Sequence, residues 1–255
     1  MKLGRFYTEA KGQFWGVVEG STIFPCRDTW FPHGGVEKTG EALNLSEAKV
    51  LPPVVPRKIV AIALNYRSHA KEMGKKFPDE PLFFLKPSTA VIGYGDEILL
   101  PPMSQRVDYE GELALVIGKR AKDVSEAEAL NYVLGYTCMN DVTARDLQKR
   151  DGLFCRAKGF DTFAPLGPWI ETELDPSSVN VTTRVNGEVR QQGNTSDLIF
   201  DVPRLISFIS QVMTLEPGDV ISTGTPSGIA PLSPGDEVEV EVEGVGTLRN
   251  RAAKK

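Results

Sequence analysis

Three acids spaced two residues apart, Asp108, Glu110 and Glu112, stand at the head of an apolar run. Side chains at i and i+2 of a strand share a face, so an extended segment here stacks like charges side by side. That arrangement is destabilising unless the charges face water or a cation neutralises them. Asp141 adds a further acid, after the strand-like Val133–Asn140 and before a helix expected over Thr143–Lys149. The end of a strand is a usual place for a functional group. Carboxylates without His or Cys form a hard-oxygen donor set, which suits Mg²⁺ or Mn²⁺ and disfavours zinc. A solvated strand edge is the alternative, and the spacing alone does not decide between the two.

Other residues offer proton or charge chemistry. His69 and Glu72 are three apart, so on a helical turn they are neighbours. A carboxylate there orients the imidazole and raises its basicity, two parts of a general-base relay. An incidental salt bridge at an exposed helix start has the same spacing. His33, in a Pro-His-Gly-Gly loop, has no partner in view and reads as a surface residue. Lys158 lies in the glycine-containing loop Arg156–Thr162, where its ammonium either stabilises developing enolate charge or simply faces solvent. The run Gly224-Thr225-Pro226-Ser227-Gly228 follows a strand and offers backbone N–H groups and hydroxyls to a carboxylate. It lacks the lysine and spacing of a phosphate-binding loop, so nucleotide binding is rejected.

The elements that must position these groups are mostly strands. Lys2–Thr8 and Gln13–Glu19 alternate around Lys11-Gly12, as a hairpin does. The proline-rich stretch from Leu51 to Pro56 then interrupts regular structure, which sets a boundary between a small β-rich unit, 1–56, and a catalytic part, 57–255. Lys58–Leu64 and Glu112–Gly118 are continuous apolar runs, as buried strands are. Asn186-Gly187 separates two strand-like segments and is a strong hairpin signal. Pro217-Gly218 and Pro234-Gly235 precede strands at Asp219–Thr223 and Glu237–Glu243, and Gly244 leads into Gly246–Asn250. Helices are few. Ser125 and Glu128 have capping-box spacing, while Val202, Leu205, Ile206, Ile209 and Val212 mark one helical face for the core. The fold class is mixed α/β and predominantly β, not a doubly wound sheet.

Bulk composition narrows the function classes. The 255 residues are 41% hydrophobic and 25% charged, globular averages that allow a buried core. A formal charge of −5 leaves no basic face for nucleic acid. No apolar run approaches the roughly 18 residues that span a bilayer, and the first residues lack an apolar signal core, so a cytoplasmic location is expected. The cysteines Cys26, Cys138 and Cys155 form no C-x-x-C pair and read as reduced and structural.

The order of the motifs is more specific than any one of them. Asn65-Tyr-x-x-His69-x-x-Glu72, Phe84-Leu-Lys-Pro87 and Asp108-Tyr-Glu-x-Glu112-Leu are followed by the segments Asn140–Gln148, Arg156–Thr162, Thr223–Gly228 and Gly244–Asn250. This series, from about residue 57 to 250, resembles the fumarylacetoacetate hydrolase family. The resemblance implies a β-roll with few short helices, a homodimer, and a Mg²⁺ or Mn²⁺ site at the mouth of the fold. Glu110, Glu112 and Asp141 fall on its metal ligands. His69 and Glu72 fall on its base dyad, and Lys158 on its active-site lysine. Thr225 matches a residue that contacts the substrate carboxylate, with Arg145 and Gln148 as further substrate contacts, while Asp108 lies outside the ligand shell.

The implied substrate is a small 2-oxo acid that reacts through a metal-stabilised enolate. Its N-terminal β unit resembles the bacterial branch linked to aromatic acid catabolism. Isomerase or decarboxylase chemistry on a dicarboxylate of the 2-hydroxyhepta-2,4-diene-1,7-dioate type is favoured. C–C hydrolysis of fumarylpyruvate or acetylpyruvate, or decarboxylation of oxaloacetate, is the alternative, since fold-level likeness does not choose among them. An explanation of another class is a non-catalytic β-rich module holding Ca²⁺, which requires His69, Glu72 and Lys158 to lie far from the acids.

Overall fold

The computed structural model describes residues 1–27 and 36–255, so His33 lies outside the described residues. Lys2–Thr8 and Gly12–Glu19 form the antiparallel hairpin that their alternation predicts, and Thr22–Cys26 and Leu43–Asn44 extend it. Lys49–Leu51 returns to pair with Lys2–Thr8. Lys2 and Leu3 also pair with Glu171 and Ile170 of Ala164–Glu171, so these first strands continue into the main sheet. From that junction the sheet runs through Val133–Asn140, Gly111–Ile117, Val220–Ser222 and Ile59–Ala63 to Leu82–Lys86 at its edge.

A second sheet covers the first. Its order is Glu188–Asn194, Asn180–Val185, Glu237–Val242, Gly246–Lys254 and Glu97–Leu100. The Asn186-Gly187 turn closes its first hairpin with φ of 53° and 80°, the left-handed pair that a tight two-residue turn requires. Gly111–Ile117 is buried along its whole length because both of its faces are covered. Leu113, Leu115 and Ile117 pack with Val181, Val240, Val242 and Leu248 of the second sheet, and Ala114 and Val116 with Met139, Leu166 and Val220 on the other side. A strand buried on both faces reads as a continuous apolar run without alternation. Tyr109, Val142, Leu147 and Phe163 share a third cluster beneath the acids.

The helix Val202–Val212 starts at Asp201, whose side chain accepts from the Arg204 N–H, and has a proline in its first turn. Val202, Leu205, Ile206 and Ile209 are buried on the expected face, but Val212 is exposed where the helix ends. Two further expectations are corrected. The capping box at Ser125 does not form: its hydroxyl meets the Glu128 carboxylate, and Glu126–Tyr132 is a 3₁₀ helix. The helix expected from Thr143 begins at Arg145 and runs to Asp151, because Thr143–Ala144 pairs with Val107–Asp108. Among the described residues no helix is long and apolar enough to cross a membrane.

Candidate active site

Strand register brings the acids together. Gly111 pairs with Asn140, which sets Glu110 opposite Asp141. The Asp141 N–H donates to the Glu110 carbonyl at 2.8 Å, and the Glu110 N–H to Asn140 Oδ1 at 2.9 Å. Glu110, Glu112 and Asp141 are buried, and one oxygen from each lies within 4.8 Å of the others. The residue between the two glutamates has no room for a side chain: a Cβ on Gly111 would lie 2.0 Å from Thr183 Oγ1. Asp108 is not part of the cluster. Its oxygens accept from Arg106 Nε at 2.8 Å and Arg145 Nε at 2.9 Å.

Cations neutralise two of the three acids. Lys158, at the end of the short helix Cys155–Lys158 and not in a surface loop, donates to Glu110 Oε2 at 2.7 Å and Asp141 Oδ2 at 2.5 Å. Its ammonium also sits 5.2 Å from the centre of the Phe84 ring. Lys86, buried in the edge strand, pairs with Asp141 Oδ1, and Arg145 pairs with Glu110 Oε1. Burial opposes the charge on Lys158, yet Asp141 and Glu110 hold its pKa above the ordinary value. Burial similarly disfavours ionised Glu110, but Lys158 and Arg145 prevail and bring its pKa down to about 2.

Glu112 differs, because among the described residues no cation pairs with it. It accepts from Ser222 Oγ at 2.5 Å and from the Gly224 N–H at 2.8 Å. Burial, with the charges of Asp141 and Glu110, pushes its pKa up to about 8. A buried acid kept from ionising by two neighbouring carboxylates is an environment that a hard divalent cation reverses. The all-oxygen set fits Mg²⁺ or Mn²⁺.

The base helix is fixed from below. Its strand, Ile59–Ala63, ends at Leu64 with φ of 55°, and the chain enters Arg67–Glu72 through buried Asn65. Asn65 Nδ2 donates to the carbonyls of Phe200 and Thr223, and Oδ1 accepts from the Phe200 N–H. His69 Nδ1 lies 2.9 Å from Glu72 Oε2, while Glu72 Oε1 accepts from the Gly228 N–H at 3.0 Å. A carboxylate on Nδ1 selects the tautomer in which Nε2 is the basic atom.

One cavity of about 360 Å³ is lined by His69, Glu110, Glu112, Arg145, Gln148, Lys158 and Thr225. Glu72 stands behind His69, and Asp141 behind Lys158. Two residues expected to touch substrate are already engaged. Arg145 spans Asp108, Glu110 and Gln148 Oε1, which leaves the Gln148 amide N–H₂ as its free end. The Thr225 hydroxyl donates to the Gly111 carbonyl at 2.8 Å and accepts from Gln191 Nε2 at 2.8 Å.

Sequence reasoning missed Lys86, Ser222 and Gln191. Lys86 carries a signal, a lone charge ending the apolar run Leu82–Leu85. Gln191 carries none, since its partners are supplied by a loop 34 residues away.

Residues 58–253 match the family described as Fumarylacetoacetate (FAA) hydrolase C-terminal, and residues 1–53 match Rv2993c-like, N-terminal. An oxaloacetate tautomerase of Bacillus subtilis is 43% identical over 223 residues, which cover 82% of this chain and 74% of its own length. The crystal structure of a 5-carboxymethyl-2-hydroxymuconate delta-isomerase from Mycobacterium smegmatis is 45% identical with a TM-score of 0.93, covering 100% of both chains. A maleylpyruvate hydrolase from Sphingobium, solved with manganese(II) and pyruvate, is 31% identical with a TM-score of 0.82, covering 100% of this chain and 99% of its own. The chain therefore belongs to the fumarylacetoacetate hydrolase family.

Proposed function

We propose that the chain is a Mg²⁺- or Mn²⁺-dependent isomerase of a small 2-oxo or 2-hydroxy-enoic dicarboxylic acid. The observation that carries this reading is one cavity lined by Glu110, Glu112, Lys158 and His69, with Asp141 completing the acidic triad behind Lys158 and Glu72 holding His69 from behind. A non-catalytic Ca²⁺ module required these groups to be far apart, whereas Lys158 touches two of the acids. Relatives named tautomerase and isomerase support proton transfer as the reaction. When bound by the three acids, a divalent ion would draw electron density from the 2-oxo group.

The remaining work falls to side chains. His69 Nε2, with Nδ1 held by Glu72, takes a proton from the carbon beside the 2-oxo group. That proton returns to the oxygen in a tautomerisation or to a distant carbon in a double-bond shift, so no atom enters or leaves. The Lys158 ammonium stabilises negative charge on the 2-oxo oxygen as it develops. The Gln148 amide and the glycine loop offer donors to a carboxylate.

Charge balance favours a dicarboxylate. Once an ion keeps Glu112 ionised, the four acids Asp108, Glu110, Glu112 and Asp141 balance the four cations Lys86, Arg106, Arg145 and Lys158. A divalent cation then adds two positive charges, which a dianion neutralises. The test is turnover of oxaloacetate, 2-hydroxyhepta-2,4-diene-1,7-dioate, fumarylpyruvate and acetylpyruvate, with Mg²⁺, with Mn²⁺ and with a chelator. Isomerised product that requires the ion supports the reading; ion-independent turnover would sink it. Cleaved product would favour the second reading, a C–C hydrolase in which His69 activates water; the relative named maleylpyruvate hydrolase supports cleavage as the reaction.

The reading includes a homodimer. The sheet's edge strand exposes Leu82 and Leu85, an apolar edge that a second copy could cover. Sedimentation at the mass of a single 27.9 kDa chain would contradict it.

A further inference from the structure

We infer that Tyr109 is a positioning residue for the base dyad, acting through the backbone of Gly228. Tyr109 lies between Asp108 and Glu110 in the acidic motif, but its ring points away from the acids, into the cluster of Val107, Val142 and Leu147. It is 1% exposed, and its hydroxyl donates to the Gly228 carbonyl at 3.0 Å. The Gly228 N–H in turn donates to Glu72 Oε1, whose second oxygen holds His69 Nδ1. A line of hydrogen bonds thus runs from the acidic strand to the imidazole.

The chain needs such an anchor at both links. Glu72 ends a helix of six residues, and its side chain is 38% exposed, so water competes for its oxygens. Only a fixed second partner keeps one oxygen on His69. Gly228 has φ of 100°, a conformation with broad freedom for glycine, and a Cβ there would lie 2.2 Å from the Arg190 carbonyl. Backbone pairing holds the neighbouring segment, with the Tyr109 N–H on the Ala230 carbonyl and the Leu232 N–H on the Val107 carbonyl. The Tyr109 hydroxyl extends that zipper to Gly228 and aims its N–H at Glu72. The acidic cluster and the base are then set by the same strand, which fixes the distance between the charge-stabilising and proton-moving parts of the site.

This inference rests on His69 being the base, and its test separates the two claims. Tyr109→Phe keeps the buried ring and removes one hydroxyl. The readouts are the His69 ring ¹⁵N signals, in a chain with only two histidines, the Gly228 amide shift and exchange rate, Mn²⁺ affinity by calorimetry, and kcat and KM on whichever acid turns over. The expected result is a mixture of His69 tautomers, faster Gly228 exchange, unchanged Mn²⁺ affinity, and kcat lowered about tenfold with KM changed less than twofold. If Tyr109→Phe folds poorly, the Gly228 amide of the unmutated protein supplies the test: slow exchange is expected, and exchange at the rate of an unprotected amide would overturn the inference. Unchanged ring and amide signals would overturn the inference. So would a fall in Mn²⁺ affinity parallel to kcat, because Tyr109 would then act through Glu110. If no acid turns over in the unmutated protein, the function fails, while the ring and amide signals still decide the positioning.

Discussion

Asp141 is held by two lysines that respond oppositely to their surroundings. Burial lowers the pKa of Lys86, which also faces the charge of Lys158, whereas Lys158 gains more from its two carboxylates than burial removes. Lys86→Met keeps the volume and deletes one charge, and breaking a buried pair in this way costs about 3–5 kcal/mol. Asp141 retains Lys158, so the lower end of that range is expected. Mn²⁺ should offset part of the loss by supplying positive charge to the same carboxylate. Urea unfolding with and without Mn²⁺ measures this; an equal deficit in both conditions would contradict it. Strand periodicity put Asp108, Glu110 and Glu112 on one face, and only the order of the motifs separated the two glutamates from Asp108, which the fold gives to Arg106 and Arg145. The charge of Lys86 stood out at the end of an apolar run, but its role did not, because it depends on Leu82–Lys86 pairing with Ile59–Ala63 at the sheet edge, a long-range contact that no local pattern encodes.

At the level of elements, the metal-ligand geometry rests on how closely the acidic strand approaches the second sheet. A methyl group on Gly111 meets Thr183 Oγ1 first and the Val240 methyls next, at 3.3 Å. Gly111→Ala should therefore displace the strand, destabilise the fold by about 2–3 kcal/mol as overpacking does, and weaken divalent-ion binding. Thr183 Oγ1 is itself a buried atom without a hydrogen-bond partner, so Thr183→Ala alone should cost little. Combining the two should recover much of the stability and ion affinity, giving a coupling of about 1 kcal/mol or more in a double-mutant cycle. Additive effects would show that the two sheets are not in register-setting contact here. The strands themselves were readable, since apolar runs and the Asn186-Gly187 turn report local preference. The Ser125 box and the start of the helix at Arg145 were misread because a side-chain pair and a short strand pairing overrode the local signal. Thr225 was found by resemblance, but its engagement with Gln191 joins segments that only the fold brings together.

For the molecule as a whole, the site predicts how stability depends on pH. Without a divalent ion, Glu112 titrates near 8 in the folded chain against an ordinary 4.5. The folded state then holds a proton that the unfolded chain releases, so this contribution is complete below about 4.5 and is lost as pH rises through 8. Glu110 has the opposite sign: with its pKa near 2, its contribution is present above 4.5 and lost as pH falls through 2. Between pH 5 and 8 only the Glu112 slope acts, at most about 1.4 kcal/mol per pH unit. An ion bound by ionised Glu112 displaces that proton, so its own stabilisation grows over the same interval. Melting curves with chelator and with saturating Mn²⁺ should diverge as pH increases from 6 to 8. In Glu112→Gln, which cannot ionise, the divergence should disappear. Parallel curves in the unmutated protein would mean that Glu112 is already ionised when the ion arrives, and that the triad binds it without releasing a proton.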